Sequence, residues 1–91
     1  MREMTHYKTI LVTLVSVGPL IKGDTNQSHD RRLVSYDRVL PNGETYDRSS
    51  VYFTGESAHK AYLRFGQHME LTYFAKKDGS KVMAEYKYRT N

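Results

Sequence analysis

GESAHKAYLRFG, residues 55–66, is the stretch whose reading decides the fold. Ala58, Ala61, Tyr62 and Phe65 recur at helical spacing on one face, while His59, Lys60 and Arg64 fall away from it. Glu56 suits the positive end of a helix dipole and Arg64 the negative end. Gly66 stands where a helix commonly stops in a left-handed turn. The spacing predicts one short helix over residues 56–65. No other segment has this period, and both flanks read as pairs of strands.

On the C-terminal side, Met69 to Ala75 and Lys81 to Arg89 flank Asp78-Gly79. That dipeptide suits the positive φ angles of a two-residue hairpin turn. Such a turn puts Met69, Leu71, Tyr73 and Ala75 on one face with Val82, Ala84, Tyr86 and Tyr88. The opposite face then sets Glu70 against Lys87 and Phe74 against Met83, with Thr72 and Glu85 between them. Hydrophobic pattern and charge pairing agree on this register.

On the N-terminal side, Leu33 to Leu40 and Thr45 to Phe53 flank Asn42-Gly43. A two-residue turn there sets Arg38 opposite Asp47 and Asp37 opposite Arg48. These are opposite-charge cross-strand pairs, each contributing about 0.2–1 kcal/mol. Val34, Tyr36, Arg38, Leu40, Val51 and Phe53 form the more apolar set and the expected core face. Leu33, Ser35, Asp37, Val39, Tyr46, Arg48, Ser50 and Tyr52 are expected to face outward. A bulge between Tyr46 and Phe53 would exchange the two sets beyond it.

Upstream, Ile10-Leu11-Val12-Thr13-Leu14-Val15-Ser16-Val17 is the longest apolar run. It is too short to span a bilayer or to serve as a usual secretory signal. Apolar side chains occur at both parities, so the strand from Tyr7 to Val17 is covered on both faces. Gly18-Pro19 bends it and Leu20-Ile21 continue it. Lys22 to Arg32, KGDTNQSHDRR, reads as an exposed loop. Residues 1–6 read as a loose N-terminus and 7–91 as one domain. The element order β1-β2-β3-α-β4-β5 is that of a mainly β, five-stranded OB-like barrel, with a long first strand that curls around it. A β-grasp domain would need the first strand to pair differently, and an SH3-like barrel would leave the helix unexplained.

The chain of 91 residues has room for one core and little for a deep, walled pocket. It contains no cysteine, which excludes a disulfide framework, a thiolate metal site and a cysteine nucleophile. His6, His29, His59 and His68 have no spacing that places two metal ligands on one helix face or one turn. Ser28, His29 and Asp30 are adjacent loop residues, which do not make a catalytic triad. The expectation is a cytoplasmic binding protein without cofactor or metal, not an enzyme.

Fourteen Lys and Arg outnumber ten Asp and Glu, for a net charge of +4. The excess lies toward the two ends of the chain. In the expected fold it gathers in two loops, with Lys22, His29, Arg31 and Arg32 between strands 1 and 2, and Lys76, Lys77 and Lys81 between strands 4 and 5. OB domains bind oligonucleotides and oligosaccharides with the strand 2–3 face and these same loops. Nucleic-acid bases stack on aromatic rings for about 1–3 kcal/mol each. The candidate nucleic-acid contacts are therefore Arg31, Arg32, Tyr46, Arg48, Tyr52, Lys76, Lys77 and Lys81.

In size, lysine-rich hairpin and tyrosine-rich strands, the sequence resembles the small OB-fold single-stranded DNA-binding proteins of phage type. The resemblance implies non-specific binding of single-stranded DNA by a viral or phage protein, as a dimer or cooperative array. The acidic tail of many bacterial members has no counterpart in the closing residues Tyr88-Arg89-Thr90-Asn91. The competing expectation is a small protein-binding module, for example an inhibitor of a host enzyme, acting through a tyrosine-rich or edge-strand surface. Tyrosine and arginine are enriched at protein interfaces too, and an exposed Phe74–Met83 pair would fit that use.

Overall fold

In the computed structural model, residues 6–23, 30–62 and 67–89 are described. They form β1 (Lys8–Ile21), β2 (Arg31–Val39), β3 (Thr45–Thr54), α1 (Glu56–Lys60), β4 (Met69–Ala75) and β5 (Lys81–Tyr88). The strands close a barrel in the order β1-β2-β3-β5-β4. Neighbours are antiparallel except β3 and β5, which meet in parallel at Tyr52 and Val82. This is the OB-like barrel that the element order predicts. Of the expected loose N-terminus, only His6 falls within the described residues.

One long strand makes closure possible. Lys8 to Val12 of β1 pair with β4, and Val12 to Ile21 pair with β2. Turning from one partner to the other requires coiling, and two register shifts supply it, one at Val15 and one at Gly18-Pro19 opposite Leu33. Gly18 is required by close approach, since a Cβ there would lie 2.9 Å from the Leu33 carbonyl oxygen. β2 begins at Arg31, so Arg31 and Arg32 belong to the strand rather than to the preceding loop. They pair with Ile21 and Leu20 on one side and with Thr54 and Phe53 on the other.

The core is the face that alternation assigns to β2 and β3. Val34, Tyr36, Val51 and Phe53 are buried there against Val12, Leu14, Met69 and Leu71. Ala58 of α1 and the following Ala61 join this cluster. The helix is one turn, shorter than the expected 56–65, because Ala61 is already extended at φ −66° and ψ 128°. Its N-cap, Gly55, makes no side-chain cap bond, and so short a helix does not propagate unaided. Tyr62 is exposed, whereas Arg64, Phe65 and Gly66 lie outside the described residues.

The two hairpins share one construction, and it differs from the two-residue turns expected. In the first, the Gly43 N–H donates to the Leu40 carbonyl at 2.8 Å and the Leu40 N–H to the Glu44 carbonyl at 2.8 Å. In the second, the Gly79 N–H donates to the Lys76 carbonyl at 2.9 Å and the Lys76 N–H to the Ser80 carbonyl at 2.8 Å. Each is a three-residue loop with glycine at φ 91° in the third place. Pro41 explains the first, since its fixed negative φ fits the leading corner of a type I turn.

Each extra loop residue is balanced by a bulge on the second strand. In β3, Asp47 and Arg48 lie opposite Asp37, and Asp47 has φ 57°. In β5, Ala84 is the added residue. Beyond each bulge the expected register returns, so Glu70 does face Lys87. Between turn and bulge it is displaced by one. Tyr46 therefore pairs with Arg38 rather than Val39, while staying exposed as expected, and Phe74 pairs with Val82 rather than Met83. Met83 is buried in the core, which removes the expected outer Phe74–Met83 pair.

Candidate nucleic-acid interface

On the outer surface, alternation leaves Leu33, Ser50 and Tyr52 pointing away from the core. With Ser49 at the barrel rim and Gly79, Ser80 and Lys81 from the second hairpin, they line an open groove of about 370 Å³. Leu33 and Tyr52 are directly cross-strand partners, as are Ser35 and Ser50, whose hydroxyls lie 3.4 Å apart. The floor is thus an aliphatic side chain, a phenol ring and a short row of hydroxyls.

Cations stand at both ends of the groove. Arg31, two residues before Leu33 on β2, holds its guanidinium 5.9 Å from the centre of the Tyr52 ring. That distance is within cation–π range and keeps the ring braced from one side. Across the groove, Lys81 donates from Nζ to the Ser49 hydroxyl at 2.7 Å, with Tyr73 and Tyr36 ring centres at 5.5 and 6.0 Å. Lys76 and Lys77 are exposed on the adjoining loop. The Asp78 carboxylate in that loop is held below the usual carboxylate range by the hydroxyl and backbone N–H of Ser80, which bond Oδ1 at 2.7 and 2.9 Å. It is an anchored part of the turn.

The remaining expected contacts fall elsewhere. Arg32 is a cross-strand partner of the core residue Phe53, on the inner side of β2. Its buried Nε is the only buried side-chain nitrogen or oxygen among the described residues without a hydrogen-bond partner. Tyr46, beyond the Asp47 bulge, lies under the Arg38 guanidinium at 5.5 Å and is remote in register from Tyr52. Arg48 is bound to Asp37 by a fork of 2.8 and 3.2 Å. That bond pulls the Asp37 carboxyl below its ordinary range and pushes the Arg48 guanidinium above its own. The ion pairs predicted from the sequence do form, with Arg38 and Asp47 at 4.0 Å, but Arg48 spends its charge within the hairpin.

Of the eight expected contacts, Tyr52 and Lys81 line the groove, Arg31 sits against the Tyr52 ring, and Lys76 and Lys77 lie on the hairpin loop that supplies Gly79 and Ser80 to it. Sequence reasoning missed Ser49 and Ser80. Ser49 reads as inward-facing by alternation, opposite the core residue Tyr36, and its place at the groove shows only once β5 brings Lys81 to its hydroxyl. Ser80 carried a signal, since it follows the turn directly, but turn residues resemble one another too closely to single it out. Among the described residues, no three His, Asp or Glu side chains are grouped to hold a metal ion, and no helix is long and apolar enough to cross a membrane.

Fold and groove together define a class, the OB-like barrel with a ligand-sized depression on its strand 2–3 face. Comparison with known proteins gave no matching family model, no matching curated protein and no matching solved structure.

Proposed function

We propose that this protein is a non-catalytic binder of single-stranded nucleic acid, foremost single-stranded DNA, with low sequence specificity. One observation carries the reading: the Tyr52 ring in an open groove, with Arg31 beside it and Lys81 on the far wall. A ring of this kind offers a stacking surface to any base, which is why such binding tolerates sequence. The hydroxyls of Ser49, Ser50 and Ser80 donate or accept equally well, so they do not select one base edge. Lys76 and Lys77 supply charge for the phosphates, whose neutralisation releases counterions.

The reading is tested by titrating fluorescently labelled oligo-dT at two salt concentrations. Affinity is expected to fall steeply with salt, and Lys76→Glu with Lys77→Glu to flatten that dependence by about one unit of slope per lysine. Tyr52→Ala is expected to weaken binding by about 1–3 kcal/mol, with Tyr52→Leu as the control that keeps apolar packing. Absence of binding at low salt overturns the reading.

A further inference from the structure

Cross-strand register places Tyr52 in a longer row. Leu33 on β2 pairs with Tyr52 on β3, Tyr52 with Val82 on β5, and Val82 with Phe74 on β4. The Phe74 ring meets Tyr7, just before β1, edge-on at 5.8 Å and 77°. Paired residues share a face, so these five side chains run in one line across the outside of the barrel. Val82 is 8% exposed yet stands outside the core cluster, which fits shielding by its neighbours in the row. Tyr7 is 58% exposed. With strands about 4.8 Å apart, the row spans roughly 19 Å along the curved surface.

We infer that the bound strand does not stop at the groove but continues over the β3–β5 seam, across Val82 and Phe74, to stack on Tyr7. This rests on the nucleic-acid reading above and deepens it. Charge selects the occupant. Phe74 and Val82 lie one pair inside the Ala75–Lys81 pair that closes the second hairpin, so Lys76 and Lys77 border the row on one side. Ser50 lies on that same side, because β3 and β5 run parallel, and the other side carries Arg31, Thr54, Glu85, Thr72 and Thr9. With Lys76 and Lys77 on one side and Arg31 at the Tyr52 end of the other, the apolar row matches a polymer that carries anions along its backbone and flat apolar groups beside them. A protein partner fits it less well, since lysine is depleted from protein interfaces and the row is a single residue wide.

The chain has no tryptophan, so one introduced indole reports alone. Tyr52→Trp and Tyr7→Trp are each titrated with oligo-dT of about 4 and about 12 nucleotides, lengths within the range of OB-domain site sizes. The inference expects the short oligonucleotide to quench the indole at position 52 only and the long one to quench both. It also expects Tyr7→Ala to weaken the long oligonucleotide about tenfold and leave the short one unchanged. Quenching at position 52 with both lengths and none at position 7 overturns the extension while leaving the groove as a binding site. No quenching and no binding of either length overturns the nucleic-acid reading itself. If Tyr7→Ala instead dissociates an oligomer in sedimentation and leaves both affinities alone, the row belongs to a second copy of the chain and the inference falls.

Discussion

Gly18 lies so close to the Leu33 carbonyl that a Cβ would sit 2.9 Å from its oxygen, with backbone rather than a yielding side chain in the way. Gly18→Ala must therefore push β1 off β2 at the bend. A loss of about 1–3 kcal/mol is expected in urea unfolding, and a stability unchanged from wild type would contradict the role of that contact. Asp47 carries the opposite kind of constraint, a non-glycine residue at φ 57°. Its ion pair with Arg38 is long and exposed and offsets little of the strain. Asp47→Gly should leave stability within about 0.5 kcal/mol, whereas the β-branched Asp47→Val should cost about 1–2 kcal/mol. This residue also marks where sequence reading stops. Alternation identified Val34, Tyr36, Val51 and Phe53 as core, and Leu33, Ser50 and Tyr52 as surface. It misplaced Val39, which is buried, and Leu40, which is exposed, and it gave Tyr46 the wrong partner because the bulge at Asp47 displaces the register between it and the turn.

Among the elements, the one-turn helix has too few residues to hold itself, and Asp30 ties it down. The Asp30 backbone carbonyl accepts from the Gly55 N–H at 2.9 Å. Its carboxylate accepts from the Gly23 N–H at 2.9 Å and lies 2.8 Å from Nε2 of His59. The Gly23 bond first, and the His59 bond second, hold this carboxyl below its ordinary range. A carboxyl with a depressed folded-state pKa contributes stability above the unfolded value of about 4, and that contribution disappears as pH falls through the folded value. Asp37, Glu56 and Asp78 shift in the same direction, so the acid loss is shared. Asp30→Asn should therefore lose less stability than wild type between neutral pH and about pH 3, measured as the shift in urea midpoint. Equal losses would show that Asp30 contributes nothing to the acid response. The turns show why element boundaries were only partly legible. Asn42-Gly43 and Asp78-Gly79 suit both two-residue and three-residue hairpins, and the choice depends on strand twist. Pro41 was the local clue in the first hairpin, and the second has none.

For the whole molecule, element order was enough to indicate the barrel. A long two-sided first strand, two hairpins and one short helix between them leave few ways to bury every apolar face, and closure in the order β1-β2-β3-β5-β4 satisfies them. What order alone does not give is the row from Leu33 to Tyr7, because it crosses the β3–β5 seam, where residues distant in sequence meet through a parallel contact. The net charge of +4 favours an anionic partner in general, but its placement beside Tyr52 gives the reading its specificity. The most direct test is to add unlabelled oligo-dT to isotopically labelled protein and follow the backbone amides by NMR at low salt. The account predicts shifts concentrated at Leu33, Ser50, Tyr52, Gly79 and Ser80, weakening as salt is raised. Shifts confined to the 40–47 hairpin tip or to α1, or no shifts at all, would contradict it.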